Sequence, residues 1–287
     1  MLPILLNLGF IKIYTFGVFL VLAFFWGCYL LWKLVRLTAF KEEDIFDGLF
    51  ISLIGGLFIG RLLHVITHFS DFGFDVLKFI LINGYPGISM YGLLFGSFIS
   101  FYLYTLAKKI QFNEIIDYII SPLFISMGII KLGSFFAGVE VGSKTKFLLA
   151  IKYVGFDGLR HMTALYESIL FFIAAYVSYK ILFSIRREKY SHGFLFMLFV
   201  WFFSIVAIIF DSLKATRDFY FDYSSNVIVS FILLLTISIY FIYYFRSKIM
   251  GLFKNIINYL KHNGYKAFKK IFVRDKGKVG EGEKKND

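Results

Sequence analysis

The chain has 287 residues, of which 59% are hydrophobic, 21% aromatic and 17% charged, with a formal net charge of +12. Soluble domains of this length are nearer half apolar and a quarter charged, and the apolar runs here reach about 20 residues, the length that crosses a hydrocarbon core. An ordinary soluble domain is therefore excluded. The positive charges flank apolar segments and fill the tail, which points to membrane topology and anionic headgroups rather than to nucleic acid.

Seven apolar segments follow in chain order, at roughly 13–35, 45–67, 88–107, 117–137, 163–185, 193–213 and 226–245. They predict an all-α integral membrane protein of about seven transmembrane helices, with loops on one side forming a small cap. Lysine and arginine bias gives the orientation. Short connections carry Lys33, Arg36, Lys41, Lys108, Lys109, Arg186, Arg187 and Lys189, whereas the long loops 68–87 and 138–162 are sparser in basic residues. That bias predicts the N-terminus outside and the C-terminus inside. No basic stretch precedes the first apolar run, so a cleaved signal peptide is not expected.

The domain reading is a membrane domain over 1–245, a basic amphipathic cytoplasmic segment over 246–275 and a polar, disordered tail over 276–287. Met250, Phe253, Ile256, Ile257 and Leu260 fall at helical spacing, as in a helix lying on a leaflet. Cys28 is the one cysteine, so no disulfide framework or Cys/His metal site can form. No nucleotide-binding fingerprint or zinc spacing is present, and no cofactor is expected.

Ionisable residues within spans are costly and mark function by default. Arg61, Lys131, Glu167 and Asp211 all fall toward the outer ends of their segments. One reading is mutual neutralisation. The other is an anion site, with Arg61 and Lys131 at the level of a phospholipid phosphate and Arg160 assisting from the loop. Glycines cluster around these positions: Gly55, Gly56 and Gly60 before Arg61, Gly87, Gly92 and Gly96 around Ser89 and Tyr91, and Gly128, Gly133, Gly138 and Gly142 around Lys131. Glycine lets helices, or backbone and ligand, approach closely.

The order and spacing of these residues resemble the prolipoprotein diacylglyceryl transferase family from about residue 10 to 245. Ile11-Lys12-Ile13-Tyr14 resembles the family's Ile-Arg-Trp-Tyr. Gly60-Arg61-Leu62-Leu63-His64 resembles Gly-Arg-Leu-Gly-Tyr, and Gly87-Ile88-Ser89-Met90-Tyr91-Gly92 resembles Gly-Gly-Met-Ser-Phe-His-Gly-Gly. The most specific match is Arg160-His161-Met162-Thr163-Ala164-Leu165-Tyr166-Glu167, which resembles Arg-His-Pro-Thr-Gln-Leu-Tyr-Glu. Departures accompany the matches. The family histidine is Tyr91, its signature arginine is Lys131, an asparagine is Ser134, and its glutamate falls one place later as Glu140. A helix-six arginine is Ala207, while Asp211 and Lys214 fit the family's following Glu and Arg.

The resemblance implies a bacterial cytoplasmic-membrane enzyme whose active face is toward the outer leaflet. It would move diacylglyceryl from phosphatidylglycerol, or another anionic phospholipid, to the lipobox cysteine of a prolipoprotein, with part of the family's catalytic set lost. The catalytic candidates are Tyr91, Lys131, Glu140 and His161, with Glu140 and His161 as the better bases. Tyr14, Arg61, Ser89, Gly92, Ser134, Gly138, Gly142, Arg160, Tyr166, Glu167, Asp211 and Lys214 are candidates for substrate binding. A catalytically degenerate member that holds a lipid or lipoprotein is the alternative, and a small transporter or channel a weaker one.

Overall fold

Apolar runs in a membrane must satisfy their own backbone hydrogen bonds, and helices do so within each segment. The computed structural model describes residues 2–9, 12–82, 84–215, 219–220, 223–247, 250–251 and 254. A hairpin of β1 (Ile4–Asn7) and β2 (Lys12–Tyr14) leads into α1 (Thr15–Val35) and α2 (Glu42–Thr67). Two short helices follow, α3 (Phe69–Phe72) and α4 (Val76–Ile80), then α5 (Met90–Ala107) and α6 (Phe112–Ala137). A hairpin of β3 (Ala150–Lys152) and β4 (Leu159–His161) precedes α7 (Thr163–Arg186) and α8 (Phe194–Asp211). A third hairpin, β5 (Phe219–Tyr220) and β6 (Tyr223–Ser224), leads to α9 (Ser225–Tyr244). Seven of these helices are long and apolar enough to cross a membrane, so the chain is a multi-pass membrane protein.

The helices start and stop where side chains complete their ends. α2 begins three residues before its apolar run, because Glu42, Glu43 and Asp44 occupy its first turn and complement the positive end of the helix dipole. Ser89 caps α5 by accepting from Gly92 N at 3.2 Å. α6 ends on Gly138, whose φ of 71° closes the helix in a left-handed conformation that favours glycine. Asp117 is wholly buried on α6 and accepts from Gly193 N at 2.7 Å and Phe196 N at 3.1 Å. It thereby satisfies free amides at the start of α8 from a neighbouring helix.

Small residues bring the helices together. α2 and α5 meet glycine to glycine: a Cβ on Gly92 would lie 2.8 Å from Gly60 Cα, and one on Gly96 2.8 Å from Gly55 O. α6 is the central helix. Ser126 on it donates to Ala23 O of α1 at 2.9 Å, Ser168 of α7 donates to Gly128 O at 2.8 Å, and Ser121 and Ser178 share a hydrogen bond of 2.8 Å. Such small polar contacts hold membrane helices where lipid is as apolar as leucine and burial drives little association. Phe124 packs on Phe171, Phe199 and Phe202, with ring centroids 6.2, 5.2 and 5.7 Å away.

The long loops hold more structure than their sequence suggests. Loop 68–87 contains α3 and α4. Loop 138–162 carries β3 and β4, and Gly142 bridges to Lys214 while Lys144 bridges to Arg160. Extended backbone thus runs from Lys214 across 142–144 to β4 and β3. Met1–Leu234 form one compact unit, and the second, from Leu235 onward, contains the rest of α9 among its described residues. The expected amphipathic segment 246–275 lies almost wholly outside the described residues, and the tail 276–287 entirely so.

Candidate active site

At the end of the unit where α6 and α8 finish and α7 begins, four charged side chains converge. Lys131 lies six residues before the end of α6, about 9 Å along the helix. Its Nζ is 2.8 Å from both carboxylate oxygens of Glu140 and 2.7 Å from Glu167 Oε2. An ammonium has three N–H donors, so these three oxygens saturate it. Lys214 reaches the same carboxylates from beyond α8, at 3.4 Å from Glu140 Oε2 and 3.9 Å from Glu167 Oε1. Lys131 and Glu167 are each 7% exposed, Glu140 24% and Lys214 28%. The two lysines and two glutamates neutralise one another, which is what permits Lys131 and Glu167 to be buried.

The backbone explains the convergence. Ser143 N donates to Leu213 O at 2.7 Å, and Ala215 N to Val141 O at 3.0 Å. Those bonds hold the segment after Glu140 against the segment containing Lys214. A Cβ on Gly142 would fall 2.2 Å from His161 O, so only glycine lets this strand lie between its neighbours. Burial alone pushes the Glu140 carboxyl up, but the ammonium groups of Lys131 and Lys214 outweigh it and hold it below the ordinary glutamate range. Glu140 is therefore ionised at neutral pH.

Polar atoms without a hydrogen bond occur on the segments that carry this cluster. Arg160 Nε, His161 Nδ1, Thr163 Oγ1, Glu167 Oε1 and Asp211 Oδ2 are buried without a hydrogen-bond partner. Buried polar atoms are normally satisfied, so unmet ones on these segments fit a place that receives a polar group. Arg160 also donates from Nη1 to Gly142 O at 3.1 Å and stacks 4.9 Å from the Phe156 ring centre. Tyr166 donates to Leu149 O, tying β3 to the first turn of α7. Burial pushes the Tyr153 phenol up to about 12, so it stays protonated, and it donates to His161 O at 3.5 Å.

The other sequence candidates have partners of their own. Arg61 is buried, but it donates to Lys78 O and Gly87 O at 2.8 Å and to Phe79 O at 3.0 Å, and stacks 4.9 Å from the Phe72 ring centre. These contacts tie Arg61 to loop 68–87. Gly87, at φ 143°, lies against the His64 ring, where a Cβ would meet Nε2 at 2.0 Å. Tyr91 is buried, packs edge-on to Phe203 and shares a hydrogen bond with Ser230 of α9. Ser89 and Gly92 form the α5 cap, and Gly138 the α6 stop. Ser134 is buried on the last turn of α6, where its carbonyl accepts from Val139 N at 3.0 Å. Tyr14 stands exposed at the end of β2. Sequence reasoning missed Ser230 and Tyr153, which carry no motif and become visible only through their partners.

Similar proteins carry a consistent name. The chain is 27% identical over 74% of its length to phosphatidylglycerol–prolipoprotein diacylglyceryl transferase of Clostridium tetani, spanning 85% of that protein. It is 32% identical over 60% of its length to the Chloroherpeton thalassium protein of that name, spanning 65% of it, and 26% identical over 86% to the Listeria welshimeri one, spanning 90%. A family model described as prolipoprotein diacylglyceryl transferase matches residues 3–244. With nearly all of its membrane part matched, the chain belongs to the prolipoprotein diacylglyceryl transferase family.

Proposed function

We propose that this protein transfers the diacylglyceryl group of phosphatidylglycerol to the lipobox cysteine of prolipoproteins, forming a thioether and releasing glycerol phosphate. Family membership supports the reaction, and the Lys131–Glu140–Glu167–Lys214 cluster, with Lys131 and Glu167 buried and Glu140 and Lys214 half-buried, is the observation that carries the site. We read the cluster as facing outward in a bacterial cytoplasmic membrane. The opposite helix ends hold Lys33, Lys41, Lys108, Lys109, Arg186, Arg187 and Lys189, as a cytoplasmic face does.

The reaction needs a thiolate and a stabilised leaving group. Lys131 is saturated and acts as a positioning residue for the two carboxylates. Lys214, with longer contacts and more exposure, meets the lipid phosphate, and Arg160 reaches it from β4. Glu140 is a weak base because two ammonium groups hold it ionised. Glu167 Oε1, buried without a hydrogen bond, takes the thiol proton. The sulfur then attacks the glyceryl carbon that bears the phosphate. The C–S bond forms, the C–O bond breaks, and its electron pair leaves on glycerol phosphate beside Lys214.

A second reading, lipid or lipoprotein binding without turnover, is favoured by the saturated Lys131 and by a phenol at Tyr91. Purified protein in phosphatidylglycerol nanodiscs, given a lipobox peptide, separates the two. Diacylglyceryl peptide detected by mass spectrometry supports the transferase. Retained lipid with unmodified peptide supports the binding protein.

A further inference from the structure

The cap around the cluster has an outward surface that the reaction does not use. Phe147, Leu148 and Leu149 form a consecutive apolar run at 54%, 92% and 54% exposure, and Val154 on the neighbouring hairpin tip is 80% exposed. Apolar side chains so exposed on a polar loop need a non-aqueous neighbour. Their height is fixed by a hydrogen bond: Tyr166, in the first turn of α7, donates to Leu149 O. The run therefore lies beside the first turn of a membrane-crossing helix, where headgroups give way to acyl chains. Lys144, Lys146 and Lys152 surround it and are exposed, against one exposed acidic residue between 143 and 161, Asp157.

We propose that loop 146–149 inserts into the leaflet at this end of the protein, with Lys144, Lys146 and Lys152 bound to the phosphates of anionic phospholipid. The apolar run supplies insertion and the lysines supply selectivity for negative headgroups, the two components of interfacial binding. An acidic peptide would meet the lysines but leave Leu148 in water. The position level with the first turn of α7 favours lipid. The cap would then rest on the bilayer, with its β3–β4 hairpin held down over the charge cluster. This inference does not depend on turnover.

The test uses the full chain in a Cys28→Ser background with a nitroxide on Leu148→Cys, a position too exposed to affect folding. Accessibility to oxygen and to a water-soluble nickel chelate is measured in vesicles of phosphatidylcholine, with and without phosphatidylglycerol. The expected result is a label open to oxygen and shielded from the chelate, deeper when phosphatidylglycerol is present. Replacing Lys144, Lys146 and Lys152 by Gln should weaken the anionic-lipid effect on the order of fivefold per lysine. A second label on Val154→Cys checks that the triple variant retains its fold at the tip. A label open to the chelate in both membranes overturns insertion. Equal depth in both membranes, unchanged by the triple variant, overturns the anionic selectivity. A label shielded from both reagents only at high protein density indicates a second copy and also overturns the proposal.

Discussion

Lys131 Nζ of α6 lies 2.7 Å from Glu167 Oε2 of α7, and the two side chains are equally buried. Neither charge is tolerable there alone. Lys131→Ala leaves Glu140 and Glu167 without their shared cation, so a loss of about 3–5 kcal/mol of stability is expected. Lys131→Ala paired with Glu167→Gln should cost less than the sum of the single changes. Thermal unfolding in detergent of the two single variants and the pair measures this coupling.

Glu140 gives the cluster an acid sensitivity of known sign. Its carboxyl is held below the ordinary glutamate value of about 4.3, so its contribution to stability is complete above that value. It is lost as pH falls through the lower folded-state value. The melting-temperature gap between the wild type and Glu140→Gln should be widest near neutral pH and close on acidification below about pH 4. A gap that widens on acidification would contradict the assignment.

Arg61 holds three backbone carbonyls of loop 68–87 and stacks on Phe72. Charged hydrogen bonds contribute about 1.5–3 kcal/mol each, non-additively, so Arg61→Ala should destabilise the protein by about 3 kcal/mol or more. Arg61→Lys should restore only part of this, because an ammonium lacks the planar fork that serves carbonyls on two sides. Limited proteolysis should show cleavage between residues 68 and 87 in Arg61→Ala before any other cut.

The α2–α5 contact tests packing apart from charge. Gly92→Ala would drive a methyl against Gly60 backbone at 2.8 Å, and overpacking of this kind costs about 1–3 kcal/mol. The measurable outcome is a lower melting temperature with the Lys131–Glu167 coupling unchanged.

The seven spans were legible because length and apolarity alone define a transmembrane helix. Their ends were less so. α2 and α6 begin before their apolar runs, at Glu42 and Phe112, since polar first-turn residues stabilise a helix without raising its hydropathy. The charged residues Lys131, Glu140, Glu167 and Lys214 were all visible as candidates, but their mutual arrangement was not. It depends on hydrogen bonds between 141–143 and 213–215, which link parts of the chain about 70 residues apart. Arg61 shows the same limit from the other side. A buried arginine suggests an anion, and the carbonyls that Arg61 holds belong to a loop whose fold could not be read in advance. Asp117 marked only the start of an apolar run, yet it caps another helix.

The most direct test of the account compares wild type and Glu167→Gln for conversion of a lipobox peptide in phosphatidylglycerol nanodiscs, with glycerol phosphate release measured alongside. The wild type should form thioether and glycerol phosphate in equal amounts. Glu167→Gln, with its fold checked by melting temperature, should lose about 10²–10³-fold in turnover, in the range general-base and electrostatic contributions cover. Turnover by folded Glu167→Gln at the wild-type rate would contradict the claim that this charge cluster is the reaction centre.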